Sequence, residues 1–303
     1  MNKKALFLQT FIGLIPTHSY SQSTDEHIET LNRDRHLHPW VLHKGTITIT
    51  PSFVSSYMDY GVRTGGFCFQ PTLEYSKGPV ALELFANFPI ADKVPGSSDP
   101  EIDYSAYYTW DILPNIFTIK PSVCLYTYPR ANEDDGFYKN TWESRISFDY
   151  TFNKMTFSLY GYYDVTMKGG GWEFGINRLI TDMTPLEADV ELSVLIGRYS
   201  LSDSTNEPIK IKNKGDYYQV GLSVPIAFSD QSQLSVGLYY TKGTNNYFWL
   251  ENGTKELNPD AIGQFVFQLS FSQSFNSNLR PINLKNRLLS WANNKRNAKM
   301  RAN

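Results

Sequence analysis

Residues 265–275 read FVFQLSFSQSF. Phe265, Phe267, Leu269, Phe271 and Phe275 fall on one parity, interrupted only by Gln273. Gln268, Ser270, Ser272 and Ser274 fall on the other, with Val266 as the exception. Successive side chains of a strand point to opposite faces, so this segment reads as a strand with one oily face and one polar, uncharged face.

The same rhythm runs back to Ile47. It marks Ile47–Phe53, Phe67–Tyr75, Val80–Phe88, Ile102–Ile112, Phe117–Leu125 and Trp142–Phe152. It then marks Met155–Val165, a weaker Trp172–Ile176, Leu186–Ile196, Tyr218–Ile226 and Leu234–Tyr240, and with the opening stretch it predicts about twelve strands. No helical period intervenes, so the chain reads as antiparallel β.

Alternation alone does not say whether the oily face meets a protein core or lipid. Three features favour lipid. Short links at 76–79, 113–115, 153–154, 181–185 and 228–232 alternate with longer ones: DYGVRTGG (59–66), PIADKVPGSSDPE (89–101), PRANEDDGFYKN (129–140), TMKGGG (166–171), Ser200–Gly215 and Lys242–Asp260. Tight turns on one rim and long loops on the other suit a membrane barrel better than Greek-key crossings. The oily face is almost free of charge over roughly ten residues per strand, the reach of a tilted strand across lipid. Finally, Tyr57, Tyr75, Phe88, Trp110, Tyr150, Phe152, Trp172 and Phe275 lie near strand ends, where interfacial girdles belong. Plain strand propensity for aromatics is the competing explanation of this third feature.

The expectation is an all-β, transmembrane, antiparallel up-and-down β-barrel of about twelve strands. Hydrocarbon offers no hydrogen bonds, so closure must satisfy every strand edge. An even strand count puts both termini on the short-turn, periplasmic side.

The rest of the chain agrees with export. MNKK followed by ALFLQTFIGLIP and SYSQS has the charged, apolar and small-residue regions of a secretory signal peptide, cut near Ser21. A buried N-terminal element is the other reading of the same residues. The organisation expected is a signal peptide over 1–21, a periplasmic linker over 22–45, an outer-membrane barrel over 46–275 and a basic tail over 276–303. That tail holds Leu284, Leu288 and Trp291 at helical spacing among Arg and Lys, which suits a membrane surface or a disordered end. A net charge of −2 gives no reason to expect nucleic acid as a partner, and two cysteines make no disulfide framework.

FVSSYMDYGVRTGG (53–66) and FQPTLEYSKGPVALELFANFP (69–89) carry a family likeness. A strand with Ser-x-Tyr-x-x-x-Gly, a hairpin, and an Ala/Val-rich strand ending near FAN resemble TorF-type outer-membrane porins. The likeness spans roughly Thr46 to Phe275. It implies a porin-like barrel and supplies no catalytic or binding residue. The chain departs from the usual barrel ending, because a basic tail follows Phe275.

By parity the wet face carries Glu74, Glu83, Asp103, Asp111, Glu143, Asp149, Asp164, Glu173, Glu187, Asp189 and Glu191 against only Lys120 and Arg145. Glu187, Asp189 and Glu191 would stand about 7 Å apart along one strand face. Lumen carboxylates raise local cation concentration, which predicts a cation-preferring pore, unless they pair with Lys120, Arg145 or loop bases and merely solvate the wall. Tyr126, Tyr160, Tyr162, Tyr107, Tyr217 and Tyr239 share this face and either fill volume or stack against solutes. Cys68 and Cys124 also face inward and are expected as free thiols.

All five histidines precede the strands, so no Ser–His or His–Asp pair forms within them. The pair in His36-Leu37-His38 lacks further fixed ligands, and no carboxylate pair stands out for glycoside hydrolysis. No enzyme, cofactor or metal is expected. The expected function is passive diffusion of small solutes through an outer-membrane channel, with membrane lipid outside and solute within. The alternatives are a non-conducting barrel acting through its long loops and a secreted soluble β protein that binds carbohydrate.

Overall fold

The structure, a computed structural model, describes residues 45–91, 100–131, 138–181, 189–203, 211–249 and 254–277. The expected signal peptide, most of the linker and nearly all of the basic tail lie outside the described residues.

The strands are β1 (Gly45–Val54), β2 (Tyr57–Asp59), β3 (Val62–Gly65), β4 (Cys68–Lys77), β5 (Val80–Pro89), β6 (Glu101–Tyr108), β7 (Trp110–Leu113) and β8 (Phe117–Thr127). They continue with β9 (Asn140–Phe152), β10 (Met155–Asp164), β11 (Gly169–Ile180), β12 (Val190–Asp203), β13 (Ile211–Ser229), β14 (Ser232–Trp249), β15 (Lys255–Leu257) and β16 (Gln264–Ser277).

Twelve of these build the wall, in the order β1-β4-β5-β6-β8-β9-β10-β11-β12-β13-β14-β16. All neighbours are antiparallel, and β16 returns to β1 with Ile47 opposite Phe275. The sheet is thereby closed, as the alternation predicted. Each short turn joins strands already adjacent in the wall. Asn153 and Lys154 both take left-handed backbone, at φ 49° and 61°, the conformation a two-residue hairpin link needs. Gly45 and Ser277 pair at the short-turn rim, so the described chain enters and leaves the wall on one side.

The oily parity faces outward. Phe267 is 49% exposed, Val194 47% and Leu238 49%, whereas Gln70, Asn87 and Gln268 on the other parity are 3%, 0% and 8% exposed. A soluble β domain would do the reverse. The architecture is that of a transmembrane barrel: apolar outside, polar within, no free edge.

The structure departs from the sequence reading in five places. The fourth strand is not continuous: it breaks at Thr109, and β7 continues it through an irregular register between Asp111 and Leu113. TMKGGG is no long loop, because Val165–Lys168 make a tight turn and Gly169 already starts β11. The stretches expected as loops at 200–215 and 242–260 are partly strand, since β12, β13 and β14 run on and β15 pairs with β14. Polar residues such as Ser200, Asn213, Lys214 and Asn246 interrupt the apolar alternation there. DYGVRTGG forms the β2–β3 hairpin, a separate two-stranded sheet. Lastly Tyr57, assigned to the girdle, is only 6% exposed, because it opens this buried hairpin instead of ending a wall strand.

A cation on the outward face should be poorly tolerated. Val194→Arg should lower folding stability in lipid vesicles by about 2–4 kcal/mol, while Gln233→Arg on the inner face costs below about 1 kcal/mol, as read by urea titration of tryptophan fluorescence.

Candidate functional site

The inner face is crowded with acids held by tyrosines. On the β4–β5 pair Glu74 sits directly opposite Glu83. Like charges in register repel. Tyr107 donates its hydroxyl to Glu74, and the Lys120 ammonium lies 5.2 Å from the Tyr107 ring centre, which offsets part of that repulsion.

A second group centres on Glu143 of β9. Arg145 pairs with Glu143, and the two side chains are 11% and 0% exposed. Tyr126 and Tyr160 donate to the same carboxylate oxygen at 3.0 and 3.3 Å. The guanidinium also donates to the Tyr126 hydroxyl and lies 5.2 and 6.0 Å from the Tyr126 and Tyr160 ring centres. Such burial of an ion pair is tolerable only with this density of hydrogen bonds.

Elsewhere Ser158 donates to Asp149 at 2.6 Å, Ser223 to Glu191 at 3.3 Å, and Tyr217 to Glu173. Asp103 is 1% exposed, and neither of its carboxylate oxygens has a hydrogen-bond partner. Asp111 is different: it stands exposed at the short-turn rim, where it accepts from Thr118 at 2.9 Å. Asp164 accepts from the Met167 amide at 2.6 Å and so shapes the β10–β11 turn. Asp189 precedes β12 and is half-buried; Glu187 lies outside the described residues. Of the two described acids expected along that strand face, Glu191 lies within β12 and Asp189 just before it.

Into the bore projects the β2–β3 hairpin. Its two-residue tip is Tyr60–Gly61, with φ of 46° and 74°. A tyrosine in left-handed backbone is unfavourable by roughly 1–2 kcal/mol. Its ring is nevertheless held by three others: Tyr162 at 5.4 Å, Tyr199 at 5.0 Å and Tyr217 at 5.3 Å. At about 0.5–1.5 kcal/mol per aromatic pair, these contacts outweigh the strain. Tyr162 belongs to β10, six strands from β1 in either direction around the wall. The hairpin therefore projects into the bore with its tip backbone against β14, and the Tyr60 ring meets tyrosines reaching in from β10, β12 and β13.

Polar contacts moor the hairpin to the wall. The Gly243 amide donates to the Gly61 carbonyl at 2.8 Å, the Arg63 amide to the Asp260 carbonyl at 2.8 Å, and the Tyr57 hydroxyl to Glu101 at 2.9 Å. A side chain at Gly61 would come within 2.4 Å of the Gly243 nitrogen, so only glycine allows this approach. The Tyr57 and Tyr60 hydroxyls have pKa values raised well above the ordinary tyrosine range, chiefly by burial and then by neighbouring acids and tyrosines, so they stay protonated donors. Val54, Tyr57, Met58, Cys68 and Val266 form an apolar packing at the base of the hairpin.

Sequence parity missed several of these residues. Glu101, 1% exposed and accepting from Tyr57 and Tyr128, was assigned to a loop, although it shares Asp103's parity. Tyr199 shares Glu191's parity one turn of pattern further along. Nothing periodic marks Tyr60. Cys68 and Cys124 are buried and in no disulfide; the Cys68 thiol donates to the Gly66 carbonyl and Cys124 accepts from Ser105, both at 3.2 Å. Among the described residues no group of three or more His, Cys, Asp or Glu is arranged to hold a metal ion.

No family model matches the chain and no curated protein does, so the TorF-type likeness rests on the residues quoted above. Solved structures similar in fold include the KdgM porin, with TM-score 0.44, 8% identity, and coverage of 76% of this chain and 99% of that one. The NanC porin follows at TM-score 0.43 and 8% identity, covering 75% and 98%. An outer membrane channel from Pseudomonas putida F1 scores 0.40 at 13% identity, covering 77% and 95%. Likeness this distant says nothing of solute or activity.

Removing one partner of the buried pair should be costly. Arg145→Met should destabilise the barrel by about 3–5 kcal/mol, and adding Glu143→Gln should restore most of that loss; urea-induced unfolding in detergent measures both.

Proposed function

We propose that this protein is an outer-membrane channel for passive diffusion of small solutes, with preference for cations. The observation that carries the reading is the pairing of an uncharged, exposed apolar exterior with an interior rich in carboxylates. Glu74, Glu83, Asp103, Asp149 and Glu191 have no cationic side chain in ion-pair contact among the described residues, and Arg145 is already engaged by Glu143. Uncompensated acids along a bore draw cations and repel anions. Lipid contact on the outside, solute inside and export by the N-terminal leader belong to this same reading.

One observation favours the alternative of a non-conducting barrel. The hairpin projects into the bore and Tyr60 is packed among three wall tyrosines, which narrows the path open to a solute. The hairpin pairs with no wall strand in a ladder, which supports a channel that opens over a permanently sealed barrel.

Planar-bilayer recordings in a KCl gradient test both. The expected result is a reversal potential on the potassium side, with permeability shifting toward equality in Glu74→Gln/Glu83→Gln/Glu191→Gln. Chloride preference would refute the carboxylate argument. Silence from the wild type and from a variant with residues 57–65 replaced by a short Gly-Ser link would refute the channel.

A further inference from the structure

We infer that Tyr162, Tyr199 and Tyr217 form a binding site for a hydroxylated aromatic ring, which Tyr60 of the hairpin occupies in place of a solute. The inference rests on the channel reading above and names what its lumen recognises.

The site is built by the wall and does not depend on the hairpin. Tyr217 lies flat over Gly197, where an added Cβ would fall 2.3 Å from its ring, and it donates to Glu173. Tyr162 covers Gly171 in the same way, with its ring 2.5 Å from an added Cβ at the hydroxyl. Tyr199 donates to Asn213 at 3.1 Å and accepts from the Asn246 amide at 2.7 Å. Tyr199 and Tyr217 are thus fixed by hydrogen bonds to wall residues, and Tyr162 and Tyr217 by glycine seats, from three different wall strands. Leu195, Leu201 and Met167 close the apolar surround. A pocket preorganised in this way keeps its shape when its occupant leaves.

Tyr60 sits in strained backbone, and its hairpin forms no ladder with the wall. A solute ring that took over the three ring contacts would free the tip from that strain. What now fills the box is a phenol stacked nearly parallel to Tyr162, at an interplanar angle of 7°. A free solute offering the same planar face and hydroxyl competes for the same contacts. Binding of such a solute expels the hairpin tip and widens the path through the bore, so recognition and opening are one event.

The probe is p-cresol, the free equivalent of the tyrosine side chain, with 4-methylcyclohexanol as a control of equal size lacking the aromatic face. Tyr60→Ala should bind p-cresol at least about tenfold more tightly than wild type in ligand-detected NMR, because the competing side chain is gone. The control should bind neither. In the wild type, saturating p-cresol should accelerate amide hydrogen exchange across residues 56–66. Equal binding by Tyr60→Ala and wild type, equal binding of the control, or unchanged exchange in 56–66 would each overturn the inference. The exchange measurement decides the matter even where Tyr60→Ala does not fold. A hairpin-less barrel that conducts while no p-cresol effect appears defeats the ring site alone. A p-cresol effect in a barrel that never conducts defeats the channel alone.

Discussion

Hydrocarbon cannot hydrogen-bond to a peptide group, and every feature of this molecule follows from that deprivation. A strand that crosses lipid must find partners on both sides, so the sheet has to close on itself. Here the closing seam is made by strands from opposite ends of the described chain, β1 and β16, with Thr48 and Ser274 also bonded through their hydroxyls at 2.9 Å. Closure then fixes the meaning of the two parities. One must be oily because it meets lipid. The other is released from that demand and is available for polar chemistry.

The interior spends this freedom on carboxylates, several of them held by tyrosines. Tyrosine hydroxyls reach Glu74, Glu101, Glu143 and Glu173. A phenol suits the task because its ring packs against neighbouring glycines while its tip donates. The result is a wall whose acids are oriented by rigid donors. Long, mobile lysines would have neutralised the bore instead.

Much of this was legible in the residues themselves. Each of the twelve wall strands carries an alternating apolar set, and Leu192, Leu222 and Phe271 face outward as their parity demands. Short turns such as Asn153–Lys154 were marked by their position between two such sets. Alternation is a statement about one strand and the medium beside it, so it fails where the outer face no longer meets lipid. The ends of β12, β13 and β14, with Lys214, Thr244 and Asn245 among their residues, were taken for loops. It also says nothing about a segment's tertiary path. Asp59, Tyr60 and Gly61 mark a turn, yet their docking against tyrosines on the far wall depends on contacts more than a hundred residues away in sequence. Glu101 was missed for a smaller reason, since it begins its strand one step before the apolar pattern does.

The wall is also of unequal height. β13 has 19 residues and β14 has 18, against 10 in each of β1, β4 and β5. At about 3.3 Å per residue and a tilt near 40°, the tall pair rises some 20 Å further than the short trio. The barrel accordingly has a parapet on one flank and a low sill on the other. Strand for strand, the tall flank stands as a screen on its own side of the barrel, so the two sides of the rim differ in what they present.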